Sequence, residues 1–361
     1  MSDFGVVDLV RWTGIAAVTA TLGSACTIGK YSTLLLPGSG YPAVEDQVNA
    51  KTVSRSLNDP ALGEQFKVPL KKIKLHACVK GAQGRPLVVF LHGYMDCFYS
   101  WRRMQSHLAE QGFYTVSFDQ RGTGASSAPS ARLLYTPERL AEDVLDLIEA
   151  MGYKKCTLIG HDWGAATALT FAHLYPSAVE RLCVINPKHV AAWLTPATGA
   201  KDLFYTNSNV WMINAGFSTN YFRANRFRVL DTVLLKKNAA AFTTEDVAVI
   251  KSHLQRNSKS FYTMNRPFQA MLLPGPTSYT RRAYKKKLPH RTLVVWGLAS
   301  KSLTSYSHLS YFREKYLGPN TVEVRLDSAG QWPHLEEHER VAAAINDLMI
   351  GILPEERAPK R

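Results

Sequence analysis

The residues best suited to do chemistry lie in one stretch, Cys156-Thr157-Leu158-Ile159-Gly160-His161-Asp162-Trp163-Gly164-Ala165. A short apolar run turns through two glycines and continues as an Ala-rich segment. That is the pattern of a strand, a tight elbow and a helix, with one side chain exposed at the bend. The glycines let neighbouring backbone approach more closely than a Cβ would allow. The side chain at the bend is Asp162, neither Ser nor Cys. A carboxylate nucleophile bonds saturated carbon and makes an alkyl ester, so its electrophile is an epoxide or an alkyl halide rather than an ester or amide. The bland alternative is that Asp162 only caps a helix, since Asp is favoured at that position and at the positive end of the helix dipole.

An elbow of this kind needs a parallel sheet beneath it. Leu87-Val88-Val89-Phe90-Leu91 is a continuous apolar run ending in His92-Gly93-Tyr94, the signature of a buried parallel strand and its C-terminal loop. Phe113 to Phe118 is the next strand, followed by Asp119-Gln120-Arg121-Gly122-Thr123-Gly124-Ala125-Ser126. Thr136-Pro137-Glu138 starts a helix that Gly152 stops. Val68 to Val79 alternates as leading antiparallel strands do, and Leu182 to Ile185, Thr292 to Trp296 and Thr321 to Leu326 supply three more strands. The alternation of strand and helix predicts an α/β architecture with a doubly wound sheet. Between Asn186-Pro187 and Thr292 lies an insertion rich in Phe, Tyr, Trp and Met, in which Thr243 or Thr244 caps a helix over Thr244 to Leu254.

These motifs resemble α/β-hydrolases of the epoxide hydrolase group. The likeness rests on His92-Gly93 with Ser100-Trp101-Arg102, on Asp119-x-Arg121-Gly122-x-Gly124-x-Ser126, and on Gly160-His161-Asp162-Trp163-Gly164-Ala165, in this order. It covers roughly residues 65 to 350. It implies an α/β-hydrolase fold, with a doubly wound, mostly parallel eight-stranded sheet and a helical lid inserted in it. The core is expected over residues 65–187 and 286–352, the lid over 188–285 and a tail over 353–361. The resemblance also implies an oxyanion hole from the main-chain N–H groups of Tyr94 and Trp163. The family usually has proline after the first of these, where this chain has Met95. An opened epoxide needs an acid for its oxygen, which the family draws from two lid tyrosines, here nearest Tyr205 and Tyr262.

The same resemblance exposes a gap. The family's base is a histidine after the last strand, oriented by an acid after the strand before it. Gln331 stands where the histidine belongs and Ser300 where the acid belongs. Glutamine accepts no proton at physiological pH, so it holds water without activating it. His334, His338 and His161 are the nearby imidazoles that could stand in. The expectation is a degenerate member that takes a lipophilic epoxide onto Asp162 and releases it poorly. The alternatives are an active hydrolase with a non-standard base, a haloalkane dehalogenase, or a non-catalytic lipid-binding or interaction module.

The rest of the chain sets bounds. A formal charge of +14 on 361 residues favours anionic surfaces, with basic clusters at Lys67–Lys74 and Arg281–Lys287. Neither cluster carries a nucleic-acid motif, so the expected partners are a small lipophilic ligand and a membrane surface, not nucleic acid. Five cysteines lack C-x-x-C spacing and suggest buried thiols in a reducing compartment. No metal-ligand cluster and no glycine-rich phosphate loop is evident, so neither metal nor cofactor is expected. Residues 1–35 contain an uncharged stretch, Thr13 to Gly29, of about seventeen residues, at the lower limit for a spanning helix. It reads as a membrane anchor, a cleaved signal or an amphipathic leader. An anchor would place the protein at the endoplasmic reticulum; otherwise it is cytoplasmic. Residues 36–64 read as a linker.

Overall fold

The computed structural model of the chain describes residues 47–187, 230, 231, 234, 241–256, 259, 263–271, 283–299 and 312–351. Tyr205, Tyr262, Ser300 and the stretch Thr13 to Gly29 lie outside these residues. Among the described residues, no helix is long and apolar enough to cross a membrane.

Eight strands form one sheet: β1 (Glu64–Pro69), β2 (Lys74–Lys80), β3 (Leu87–Leu91), β4 (Tyr114–Phe118), β5 (Cys156–His161), β6 (Val179–Ile185), β7 (Arg291–Gly297) and β8 (Thr321–Leu326). Their spatial order is β1-β2-β4-β3-β5-β6-β7-β8. β1 runs antiparallel to β2 and β2 antiparallel to β4, while every other pairing is parallel. β3 and β5 are buried along their whole length, as apolar runs covered on both faces must be. β6 starts at Val179, earlier than the apolar run suggests, because Glu180 and Arg181 carry the strand's polar beginning.

Helices cover both faces. α3 (Pro137–Ala150) buries Leu140, Ala141, Val144, Leu147 and Ile148, one stripe at helical spacing, beside α4 (Trp163–Leu174). Every residue of α4 is buried, so it is the helix the core closes around. On the other face, α2 (Arg102–Glu110) and α8 (His338–Ile350) supply Met104, Leu108, Val341 and Ile345. Each such aliphatic side chain contributes ~1.5–3 kcal/mol on full burial.

Part of the expected linker is structured. Residues Ala50–Leu57 form α1, capped by Asn49, whose Oδ1 accepts the Thr52 N–H at 2.9 Å. Val53 and Leu57, one turn apart, give it an apolar stripe that a polar-looking stretch concealed. They pack in a cluster with Phe98, Val247, Leu254, Trp332 and Leu335. That cluster joins α1 and α5 (Thr244–Gln255) to the loops following β3 and β8. α5 begins as the sequence suggests: the Thr243 hydroxyl accepts the Asp246 N–H at 3.1 Å, and Asp246 reciprocates on the Thr243 N–H at 3.0 Å. Cys78, Cys97, Cys156 and Cys183 are buried free thiols, and Cys26 lies outside the described residues.

Candidate active site

Asp162 occupies the bend between β5 and α4 with φ 49° and ψ −110°. A non-glycine residue in that region is strained by its Cβ and persists only where the surroundings impose it. The two flanking glycines show what imposes it. A Cβ on Gly160 would lie 2.6 Å from the Gly164 carbonyl oxygen, and one on Gly164 would lie 2.2 Å from that of Leu91. The elbow is therefore pressed into both itself and β3. The Asp162 side chain makes no capping hydrogen bond to its helix, so the cap reading fails.

The Asp162 carboxylate instead accepts the main-chain N–H of Tyr94, 3.1 Å from Oδ2. Leu91 of β3 pairs with Gly160 of β5, so both loops leave the same end of the sheet. That is where ligands bind in open α/β sheets. Met95 follows with φ 55°, a conformation closed to proline, whose ring fixes φ near −65°. The loop of this chain takes a path that a proline at 95 could not follow, and it delivers the Tyr94 N–H to Asp162. The Tyr94 hydroxyl donates to Asn265 Oδ1 at 2.6 Å, just ahead of α6 (Arg266–Met271). Burial, with the charge of Asp162, pushes the phenol well above its usual range. Trp163, the other expected oxyanion residue, is the first residue of α4 and is buried.

The motif residues around Asp162 position the loops. His92 donates from Nδ1 to the Gly93 carbonyl at 2.8 Å and accepts the Gln120 N–H on Nε2 at 3.0 Å, fixing the β3 loop to the β4 loop. Trp101 stacks on His334 with 4.5 Å between ring centroids. Arg102 reaches the inserted segment, 2.6 Å from Asp246 of α5. Arg121 makes a buried two-pronged pair with Asp143, at 2.7 and 2.5 Å.

Gln331 lies in the loop after β8, which is held firmly. Its carbonyl accepts His161 Nε2 at 2.7 Å and Asn186 Nδ2 at 3.0 Å. Glu336, in α7 (Pro333–Glu336), accepts the Gly330 and Trp332 N–H groups at 2.6 and 2.7 Å. The loop so anchored carries an amide, Gln331. The three nearby imidazoles are all buried. His161 Nε2 contacts the Gln331 carbonyl, its buried Nδ1 has no partner among the described residues, and burial lowers its pKa. His334 is 1% exposed, sandwiched against Trp101 and His161, and burial holds it well below its usual range. His338 contacts the His334 carbonyl at 3.3 Å and is likewise lowered by burial.

Three groupings had no sequence signal. Asp96 is buried on the loop after β3, Asn265 meets Tyr94, and His76, Asp119 and His253 converge within 4.8 Å. Asp119 Oδ2 accepts from His253 Nε2 at 2.6 Å, His76 Nδ1 at 3.0 Å and the Ala125 N–H at 3.0 Å. Burial alone would raise this carboxyl, but the two imidazoles outweigh it and hold it well below its usual range. An ionised carboxylate only accepts, so both facing ring nitrogens donate to it in this arrangement. The cluster is a hydrogen-bonded knot between α5 and the sheet. Of the basic clusters, Lys71 pairs with Asp146 and Glu149 of α3, and Lys72 with Glu142.

Comparison with known proteins agrees with this architecture. A family model described as alpha/beta hydrolase fold matches residues 86–338. Epoxide hydrolase 3 of Xenopus tropicalis is 37% identical over 314 residues, covering 83% of this chain and 81% of that protein. Epoxide hydrolase 4 of Homo sapiens is 31% identical over 257 residues, 67% of each chain. Among solved structures, Bacillus megaterium epoxide hydrolase in complex with an inhibitor superposes with a TM-score of 0.68 at 24% identity, over 79% of this chain and 100% of that one. With its elbow, its sheet order and these relatives in agreement, the chain belongs to the α/β-hydrolase fold family and, within it, to the epoxide hydrolase-like group.

Proposed function

We propose that this protein takes a lipophilic epoxide onto Asp162 as an alkyl ester and releases it slowly. The observation that carries the reading is the Asp162 carboxylate, held in a strained turn on the Tyr94 N–H instead of capping its helix. Attack by one oxygen on a ring carbon breaks the carbon–oxygen bond of the epoxide, and the alkoxide takes a proton from an acid. Tyr205 and Tyr262 are the proposed acids. Residues 188–285 are the proposed lid, 65–187 and 286–352 the core. The contacts of Asp246 and His253 with the core support a lid that closes over the nucleophile and excludes water.

Release requires hydrolysis of the ester, with the oxyanion received by Tyr94 and Trp163 N–H groups. Gln331 removes the histidine base and Ser300 its compensating charge, which costs at least ~10²–10⁴ in rate. Intact-protein mass after exposure to a lipophilic epoxide tests the reading. The expected result is one substrate mass added at Asp162, in excess over diol. Rapid diol production that vanishes in Asp162→Ala would restore an ordinary hydrolase. Neither ester nor diol, with binding of a fluorescent fatty-acid analogue, would leave a binding module.

A further inference from the structure

Asp96 stands two residues after Tyr94, on the loop whose main chain holds the Asp162 carboxylate. It is 2% exposed. Its Oδ1 accepts the Cys97 N–H at 2.8 Å and the Ser100 hydroxyl. No described residue donates to its Oδ2, which is fully buried. Buried polar atoms are almost always hydrogen-bonded, so a carboxylate oxygen left open calls for an explanation. Holding the 3-10 turn Phe98–Trp101 needs only the first oxygen.

The charged groups acting on Asp96 come from two other elements. The charge of Asp162 acts on it from the β5–α4 elbow, and that of Arg102 from the start of α2, where Arg102 is tied to Asp246 of α5. His334, stacked on Trp101, is kept neutral by burial. Burial raises the Asp96 carboxyl to about 7; Ser100 and Cys97 oppose the rise, and the charge of Asp162 adds to it. A carboxyl titrating near neutrality suits proton abstraction at physiological pH.

We propose that Asp96 is the base that takes a proton from water during hydrolysis of the Asp162 alkyl ester, the task left open by Gln331. The inference rests on the covalent reading above. Asp96 accepts one proton from water, and the water oxygen bonds the Asp162 carboxyl carbon. The tetrahedral oxyanion is received by the Tyr94 N–H. Collapse breaks the bond from that carbon to the substrate oxygen, and the departing alkoxide recovers the proton from Asp96. The water oxygen stays on Asp162. That carboxyl then loses its proton to solvent, balancing the proton consumed when the epoxide opened. Esterification neutralises Asp162 and so removes one cause of the raised Asp96 value. The base is therefore more fully ionised in the ester than in the free protein.

The test follows a preformed adduct. The full chain is loaded with styrene oxide, excess is removed, and adduct mass is followed from about pH 5 to about pH 9. Decay should accelerate with pH through a midpoint at or below about 7 and then level off. In Asp96→Asn, decay of the same adduct should slow by on the order of 10² and lose that dependence. Unchanged decay in a folded Asp96→Asn overturns the assignment and leaves the nucleophile standing. Wild-type decay that rises with hydroxide without levelling, or an adduct stable at every pH, overturns it without any variant. Failure to form an adduct in the wild type removes the covalent reading itself, before Asp96 is touched.

Discussion

The main-chain N–H of Tyr94 donates to Asp162 Oδ2 across 3.1 Å, joining the loop after β3 to the elbow after β5. Because β3 and β5 are parallel neighbours, the two loops leave the sheet side by side, and the contact is a property of the topology. The donor comes from main chain, so side-chain changes at Tyr94 leave it in place.

The strain at Asp162 should be measurable. Asp162→Gly places a residue without Cβ at φ 49° and is expected to raise stability by ~1 kcal/mol while abolishing the epoxide adduct. Denaturant unfolding and intact mass report the two effects separately. An Asp162→Gly no more stable than Asp162→Ala, which loses the same hydrogen bond from Tyr94, would mean the elbow conformation is unstrained.

Restoring the family's proline should fail. Met95→Pro demands φ near −65° where the chain has 55°, so stability should fall by more than ~1 kcal/mol and adduct formation should slow as the Tyr94 N–H shifts. Met95→Gly should be neutral or stabilising. Parallel melting curves and adduct rates decide the matter.

Rebuilding the relay should help. Gln331→His with Ser300→Asp is expected to speed diol release by at least ~10², since the Gln331 loop is already fixed by His161, Asn186 and Glu336. Steady-state diol formation is the readout. No gain would show that the inserted segment has also lost its acids.

His253→Leu should weaken the attachment of α5. It removes a 2.6 Å donor to the buried Asp119 carboxylate and should cost ~1–3 kcal/mol at neutral pH. Asp119 has a depressed folded value, so its contribution is present above the unfolded carboxyl value near ~4 and is lost as pH falls. The gap between wild type and variant should therefore narrow on acidification below about pH 4. A gap that widens there contradicts an ionised Asp119.

His334→Phe should be harmless. It keeps the stacking on Trp101 and removes buried ring nitrogens, so stability should hold or rise by up to ~1 kcal/mol and adduct decay should not change. Slower decay in this variant would identify His334 as the base.

The order of the elbow, the strands and the helix starts was written in local pattern. Apolar runs of four to seven residues, the two glycines around Asp162 and the Thr243 cap are short-range features that chain chemistry dictates. The absence of histidine at 331 and of an acid at 300 is equally plain from identity alone. Burial is different, because it depends on what distant segments cover. Only folding brings Arg102 against Asp246, seals His334 behind Trp101, closes His76 and His253 on Asp119, and leaves Asp96 buried with an open oxygen near a second carboxylate. A carboxyl's basicity is set by those neighbours, so residue identity and spacing point to Asp162 as the proposed nucleophile, whereas the case for Asp96 as its base rests on burial that only folding creates.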